Sequence, residues 1–213
     1  MRFKVLLAAL CLTFGVTATA VQTSAADEIK IVGFGDSLMA AYNLQADEGF
    51  PARLEAALRA RGHDVSIIDS GVSGETTSGG LARIDWSVPE GTDAVLLELG
   101  ANDALRGLPP EKTRDNLEAM IVRLKQRGIA VLLAGMLAPP NLGADYETSF
   151  NAIYSELAAK YDLLLYPFFL DGVTGDPSLQ LNDGMHPNAK GINKMVENIL
   201  PVAEQFIALI KAR

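Results

Sequence analysis

Five short and almost continuously apolar segments recur along the chain, and segments with helical periodicity separate them. A strand that is apolar at nearly every position is buried on both faces, as in a parallel sheet covered by helices. No repeat, low-complexity tract or linker divides the chain after its N-terminal segment. The pattern therefore predicts one doubly wound α/β domain. Its predicted strands are residues 29–34, 65–69, 93–99, 129–133 and 163–166, and its predicted helices are residues 51–60, 80–86, 110–126, 146–160 and 188–211.

The first 26 residues have the pattern of a secretory signal peptide. Two basic residues precede an apolar run of about a dozen residues, Val5–Val16, and small residues that suit a cleavage site follow. The run is shorter than the roughly 20 residues that a membrane-spanning helix needs. We therefore expect residues 1–26 to be removed, leaving 27–213 as a single domain that is exported to the periplasm or secreted. Cys11, the only cysteine, would be lost with the signal peptide.

The net charge of the chain limits the classes of partner that it is expected to bind. Residues 1–26 contain two basic residues and no acidic one, so their removal changes the formal net charge from -8 to 16 - 26 = -10. An acidic surface repels the phosphate backbone of nucleic acids and is not attracted to anionic lipids. No later segment is long and apolar enough to insert stably into a membrane. A small molecule is therefore the expected partner, and nothing in the sequence indicates an obligate protein partner or nucleic acid.

Polar residues and glycines follow three consecutive predicted strands. Ser37 lies in a Gly-Asp-Ser turn after the first strand, Gly74 in a Ser-Gly-Glu-Thr turn after the second, and Asn102 in a Gly-Ala-Asn-Asp turn after the third. The carboxyl ends of parallel strands lie along one edge of the sheet, where open α/β sheets bind their ligands. A fourth polar turn, residues 183–187, precedes the last predicted helix and can reach the same edge.

These turns contain the residue types that ester hydrolysis by a serine requires. The Ser37 hydroxyl needs a base to take its proton, and histidine is the usual base. Of the two histidines, His63 precedes a predicted strand, which places it at the opposite edge and leaves His186 as the base. Asp183, three residues before His186, can hold the imidazole in the required tautomer.

The negative oxygen that forms during acyl transfer needs hydrogen-bond donors already in place. The backbone N–H groups of Ser37 and Gly74 and the side-chain amide of Asn102 can provide three. A glycine suits this position, because no side chain blocks the approach of a ligand to its backbone.

Each of these residues also has an ordinary structural interpretation when it is considered alone. Ser37 can cap a helix, Gly74 can be a turn glycine, and Asn102 can form an Asx turn. Asp183 and His186 can be a solvated surface pair. Only their joint occurrence at one edge of the sheet favours catalysis over these alternatives.

Two other classes of function are compatible with the same residues. Asp36, Asp103, Asp183 and His186 could bind a divalent ion in a metal-dependent phosphoesterase, since hard cations prefer such ligands. The chain could also be an exported protein that binds an acyl ligand without turnover. In the esterase interpretation, Asp36 and Asp103 are assigned to hydrogen bonding within turns and not to catalysis.

The four turns resemble, in order, the sequence blocks of the SGNH hydrolases, also called the GDSL family. They are Gly35–Leu38, Ser73–Thr76, Gly100–Asp103 and Asp183–Pro187, and together they span most of the chain after residue 26. Several stretches between them are similar to the bacterial thioesterase, lysophospholipase and arylesterase branch of this family.

The resemblance implies a three-layer α/β/α flavodoxin-like fold with a mainly parallel five-stranded sheet. It also implies broad hydrolysis of esters and thioesters with no metal or other cofactor. The implied roles are Ser37 as nucleophile, His186 as base, Asp183 as its partner, and Ser37, Gly74 and Asn102 as the oxyanion hole.

Loops at the same edge are expected to contact the acyl group of the substrate. The candidates are apolar, and packing on the core is an equally good explanation of their character. These candidates are Leu105, Leu108, Leu137 and Leu142.

Overall fold

The computed structural model describes residues 28–213. The predicted signal peptide and Cys11 lie outside the described residues. Within them, no helix combines the length and the apolar character needed to cross a membrane.

Five strands form one sheet in the order β2-β1-β3-β4-β5, and all four strand pairs are parallel. The order runs outward from β1 in both directions, which is the flavodoxin-like arrangement of a doubly wound fold. This confirms the predicted fold, and the pairing is entirely parallel. The strands are β1 (Ile29–Gly35), β2 (Val65–Gly71), β3 (Ala94–Glu98), β4 (Ala130–Ala134) and β5 (Leu164–Tyr166).

Helices cover both faces of the sheet. Within the described part of the chain they are α1 (Phe50–Ala60), α2 (Thr77–Ser87), α3 (Ala101–Leu105), α4 (Pro110–Gln126), α5 (Ala144–Tyr161) and α6 (Ala189–Lys211). Helices α1 and α6 pack together, whereas α4 packs against both α2 and α5. Short 3₁₀ helices occur at Ala46–Glu48 and Pro140–Leu142.

The two strands β3 and β4 form the centre of the core. Every residue of both strands is buried, as expected for strands covered on two faces. By contrast, β2 is an edge strand with exposed positions, including Ile68. Strand β1, which precedes Ser37, lies between β2 and β3, so the residues that follow β1 are flanked by the turns that follow its two neighbours.

Helix α3 was not predicted, because five residues are too few to show a helical period. The backbone reaches this helix through Gly100, whose φ of 123° is unfavourable for residues with a side chain. A Cβ atom at Gly100 would also lie 2.2 Å from the Tyr154 hydroxyl oxygen. The turn after β3 therefore requires glycine at this position for both conformation and space.

Replacing Gly100 by alanine is expected to lower the free energy of unfolding by about 3 kcal/mol, because backbone strain and a steric clash add together. Gly128→Ala is the matched control. Gly128 has a φ of 75°, and a Cβ there would meet no atom within 4 Å, so only a strain of about 1 kcal/mol is expected. Urea denaturation measures both values. Equal losses of stability in the two variants would contradict the steric argument.

Candidate active site

Ser37 lies two residues beyond the end of β1, in a tight and buried turn. The Ala40 N–H donates to the Asp36 carbonyl at 3.0 Å, which folds the chain back directly after the strand. The neighbouring strand β2 ends in Gly71, where a Cβ would lie 2.4 Å from the Ala40 nitrogen. The glycine therefore allows the Ser37 turn to pack tightly against the end of β2.

Three side chains at this edge form a continuous chain of contacts. Ser37 Oγ lies 2.8 Å from His186 Nε2, and His186 Nδ1 lies 2.8 Å from Asp183 Oδ2. An ionised carboxylate can only accept hydrogen bonds, so the neutral imidazole carries its proton on Nδ1. His186 Nε2 is then free to accept the hydroxyl proton of Ser37. The structure thus brings together the three residues that the sequence singled out for this chemistry.

Backbone donors keep Asp183 ionised. Its Oδ1 accepts the N–H groups of His186 at 3.0 Å and Met185 at 2.9 Å. These bonds, with the His186 N–H first, lower the pKa of Asp183 to about 2. The carboxylate therefore remains charged and opposite the imidazole throughout the neutral range.

The loop that carries Asp183 and His186 is held by backbone hydrogen bonds. The Leu181 N–H donates to the His186 carbonyl at 2.7 Å, and the Gly184 N–H donates to the Leu181 carbonyl at 3.0 Å. Asn188 then caps α6 through its side-chain oxygen. These bonds fix the position of the imidazole relative to the helix that packs on α1.

Three potential donors lie in the segments that follow β1, β2 and β3. Within residues 28–213, the backbone N–H groups of Ser37 and Gly74 make no hydrogen bond. The Asn102 amide uses one hydrogen to bond Asp36 Oδ2 at 2.8 Å, which leaves its second hydrogen available. Arg106 donates to the Gly74 carbonyl at 2.7 Å and so helps to fix the orientation of that peptide.

Asp36 has a larger part in the site than turn hydrogen bonding. One carboxylate oxygen accepts the Leu38 N–H at 3.0 Å, as expected for a turn residue, and the other accepts the Asn102 amide. Burial raises the pKa of Asp36 to about 6, against the opposing effect of these hydrogen bonds. The anion that holds Asn102 therefore forms as the pH rises through about 6.

Asp103 is buried and stabilises the beginning of α2. It accepts the Thr77 N–H at 2.8 Å and the Thr77 hydroxyl at 2.5 Å. This long-range cap explains why α2 begins at Thr77 and not near Gly80 as predicted. The assignment of Asp103 to structural hydrogen bonding agrees with these contacts, although its partners lie in another helix.

Arg83 supports the site in a way that was not predicted from the sequence. Arg83 is 6% exposed, and its guanidinium contacts both carboxylate oxygens of Glu75 at 2.6–2.9 Å. It also donates to the Gly35 carbonyl and to Ser70 Oγ, and stacks over Phe34 at 3.9 Å from the ring centroid. One buried cation thus joins the ends of β1 and β2 to the turn that contains Gly74.

The four predicted acyl-contact residues differ in exposure. Leu105 and Leu137 are 58% and 46% exposed and follow β3 and β4 at the carboxyl edge. Leu108 and Leu142 are half-buried. None of the four lines the small crevice beside Ser37, whose lining residues are Ser37, Leu38, Ala41, Tyr42, Leu44, His186, Pro187 and Ile192.

Tyr42 was also missed by sequence reasoning. Its ring lies 4.3 Å from the His186 ring, measured between centroids. An aromatic residue in a polar loop after β1 was the available signal, but a loop position does not reveal such a contact.

The second histidine and the candidate metal ligands complete the set of residues considered from the sequence. His63 precedes β2 and lies 3.3 Å from Glu204, away from the Ser37 turn. The four side chains proposed as metal ligands in the phosphoesterase alternative do not form a single cluster. Within residues 28–213, no group of three or more histidine, cysteine, aspartate or glutamate side chains is placed to hold a metal ion.

Comparison with known proteins identifies the family. The profile described as GDSL-like Lipase/Acylhydrolase family matches residues 34–192, which is more than half of the chain. The chain belongs to this family. The resemblance seen in the four sequence blocks is therefore confirmed.

Relatives in this GDSL family match over most of their own lengths. An arylesterase of Vibrio mimicus is 42% identical over 159 residues, covering 74% of this chain and 80% of the relative. The Escherichia coli K12 protein named thioesterase 1/protease 1/lysophospholipase L1 is 36% identical over 168 residues, or 78% of each chain. The crystal structure of AlinE4, described as an SGNH-hydrolase family esterase, is 44% identical with a TM-score of 0.72, covering 85% of this chain and 98% of that one.

Asp36→Asn is expected to lower kcat for p-nitrophenyl acetate hydrolysis by about 10²-fold, with little change in KM. Asparagine offers one accepting oxygen, whereas Leu38 and Asn102 each need an acceptor. The double variant with Asn102→Ala is expected to lose no more than Asn102→Ala alone, because both changes act through one amide.

The matched control for this cycle is Asp115→Asn, at an exposed position of α4. It is expected to retain the wild-type rate. Additive losses in the Asp36 and Asn102 double variant would show that Asp36 does not act through Asn102.

Proposed function

We propose that this protein is a serine hydrolase that cleaves carboxylic esters and thioesters through an acyl-serine intermediate. The observation that carries the proposal is the sequence of contacts from Ser37 Oγ to His186 and Asp183, with both links at 2.8 Å. This arrangement matches the roles of nucleophile, base and orienting acid in serine hydrolases. The names of the related esterases support the same class of reaction.

In the acylation step, Ser37 Oγ attacks the carbonyl carbon of the substrate while His186 Nε2 takes the hydroxyl proton. The carbonyl oxygen becomes negative in the tetrahedral intermediate. The N–H groups of Ser37 and Gly74 and the free Asn102 amide hydrogen are the proposed donors to this oxygen. Collapse of the intermediate breaks the bond to the alcohol or thiol, which receives the proton from His186.

Water then releases the acyl group by the same route. His186 accepts a proton from water, the resulting hydroxide attacks the acyl-serine, and the same three donors hold the second oxyanion. Breakdown returns the proton to Ser37 Oγ and frees the carboxylic acid. Asp183 stabilises the imidazolium in both halves of the reaction and remains ionised.

The range of leaving groups follows from the site and from the relatives. One relative is named an arylesterase and another a thioesterase and lysophospholipase. The catalytic side chains attack the carbonyl group and supply a proton to the leaving group, and neither role requires that the leaving atom be oxygen and not sulfur. The exposed Leu105 and Leu137 are our proposed contacts for the acyl chain. A rate series over acyl chain length, on p-nitrophenyl esters and acyl-CoA, would define the preference.

The predicted signal peptide supports a role for this activity outside the cytoplasm. Acyl-CoA is a cytoplasmic metabolite, so an ester or a lysophospholipid in the periplasm or medium is the better physiological substrate. Fractionation of cells that produce the full chain would test export.

Ser37→Ala is expected to lower kcat more than 10³-fold and to abolish labelling by a fluorophosphonate, since the nucleophile is lost. Ser78→Ala, at an exposed position of α2, is the control and should behave as wild type. Wild-type esterase activity in Ser37→Ala would refute the assignment. If the wild-type protein lost its activity with EDTA and was not labelled by the fluorophosphonate, the metal-dependent phosphoesterase would be favoured instead.

Asp183→Asn is expected to lower kcat by 10²-fold to about 10⁴-fold, because an amide favours the wrong imidazole tautomer. The pKa of Asp183 lies near 2, so its carboxylate stays ionised as the pH falls from 8 to 4. The acidic limb of the wild-type profile should therefore not arise from Asp183. A pH–rate profile of both proteins measures kcat and the acidic limb together. A near-normal kcat in Asp183→Asn would contradict the role of Asp183 in setting the imidazole tautomer.

A further inference from the structure

Glu98 is a buried carboxyl group that the proposed reaction does not use. It is the last residue of β3, in the interior of the sheet, and is 0% exposed. Its Oε2 accepts the Asp36 N–H at 3.3 Å. Within residues 28–213, its Oε1 has no hydrogen-bond partner, and no basic side chain forms an ion pair with Glu98. A buried acid without a cation is rare enough to need an explanation.

The neighbouring strand leaves space for this side chain. A Cβ at Gly35 would lie 2.5 Å from Glu98 Oε2 and 2.7 Å from its carbonyl oxygen. Any other residue at Gly35 would therefore displace the carboxyl group from the backbone that leads to Ser37. The glycine before the nucleophile turn thus creates the position that Glu98 occupies.

The titratable groups around Glu98 are acidic or neutral. Asp36 lies on the β1 side, and Tyr154 of α5 is close enough for its own pKa to be raised by Glu98. Asp36 in turn faces His186 and Glu75. The buried cation of the region, Arg83, is paired with Glu75. No neighbour in the described structure therefore compensates a charge on Glu98.

The two buried carboxyl groups differ in their donors. Each Asp36 oxygen accepts one N–H group, whereas Glu98 accepts a single long hydrogen bond. Burial, and then the adjacent Asp36, raise the pKa of Glu98 well above its ordinary value. An uncompensated buried charge is costly, and two close carboxylates do not ionise together readily. Asp36 therefore has the donors that stabilise a negative charge, whereas the surroundings of Glu98 favour retention of its proton.

We propose that Glu98 is a positioning residue that works as a neutral carboxylic acid beneath the nucleophile turn. It holds the Asp36 backbone behind Ser37, and by keeping its proton it keeps a second negative charge away from the oxyanion hole. This inference rests on the proposed esterase function. Ionisation of Glu98 at alkaline pH would repel both the Asp36 anion and the oxyanion of the intermediate, so kcat falls as the pH rises through that range.

The test compares Glu98→Gln with Glu98→Met and with the control Glu197→Gln, an exposed position on α6. Glutamine keeps the acceptor for the Asp36 N–H and cannot ionise. We expect its kcat for p-nitrophenyl acetate at pH 7 to stay within about threefold of wild type and its alkaline decline to disappear. Methionine removes the acceptor and should lower kcat at least tenfold with little change in KM. Glu197→Gln should keep the wild-type profile.

Infrared spectroscopy gives a readout that does not depend on activity. Wild type at pH 8 should show the carbonyl stretch of a protonated, buried carboxylic acid, and Glu98→Gln should lack it. Absence of this band in wild type, or an alkaline decline that persists in Glu98→Gln, would overturn the inference. A folded wild-type protein without esterase activity would instead overturn the proposed function, while the infrared band would still report the protonation of Glu98.

Discussion

The bond between the Asp36 carboxylate and the Asn102 amide joins the ends of two neighbouring strands, and the geometry of the site depends on it. Asp36 immediately precedes Ser37 at the end of β1, while Asn102 lies in α3 beyond the end of β3. The bond therefore helps to set the distance between Ser37 and Asn102, a proposed oxyanion donor in another part of the chain. Arg83 makes the corresponding connection toward β2, through Gly35 and Glu75. Asp36 and Arg83, the charged partners in these connections, are both buried, where electrostatic interactions are strong.

The carboxyl groups around this site differ in pKa because their surroundings differ, and not because of their residue type. Asp183 sits at the surface with two backbone donors, and its pKa falls to about 2. Burial of Asp36 outweighs its donors and raises its pKa to about 6. Glu98 is fully buried with a single donor, and burial raises its pKa well above its ordinary value. Desolvation and the number of hydrogen-bond donors thus shift the pKa values of neighbouring acids by different amounts and in different directions.

Much of this arrangement could be predicted from the sequence. Apolar strand segments indicated the sheet, and the polar turns after them indicated which side chains share an edge, including Ser37, Asn102 and His186. The predictions for Ser37 and Asn102 succeed because the parallel sheet fixes where strand ends lie. His186 lies in the loop before α6, so its position depends on that loop and not on a strand end. The sequence bounds of the strands were accurate to within about two residues, as is usual for such patterns.

The contacts that support the site could not be predicted in the same way. Glu98 meets Asp36 across 62 residues, and Arg83 meets Gly35 across 48. In the sequence, one is a lone acid at the end of an apolar strand and the other a lone base in a short helix. Their roles arise from burial and from partners in other elements, which no local period records. Helix α3 was missed for a related reason. It depends on the conformation of Gly100 and on the contact of Asp103 with the beginning of α2.

The distance along the chain between Ser37 and His186 has a consequence for when activity can arise. They are separated by 149 residues, and the histidine loop is held next to α6, which packs on α1. A growing polypeptide that lacks its last segment has Ser37 but not His186, its proposed base. The proposed hydrolysis therefore requires the completed fold, because the serine and the histidine meet only when the first and last parts of the chain pack together.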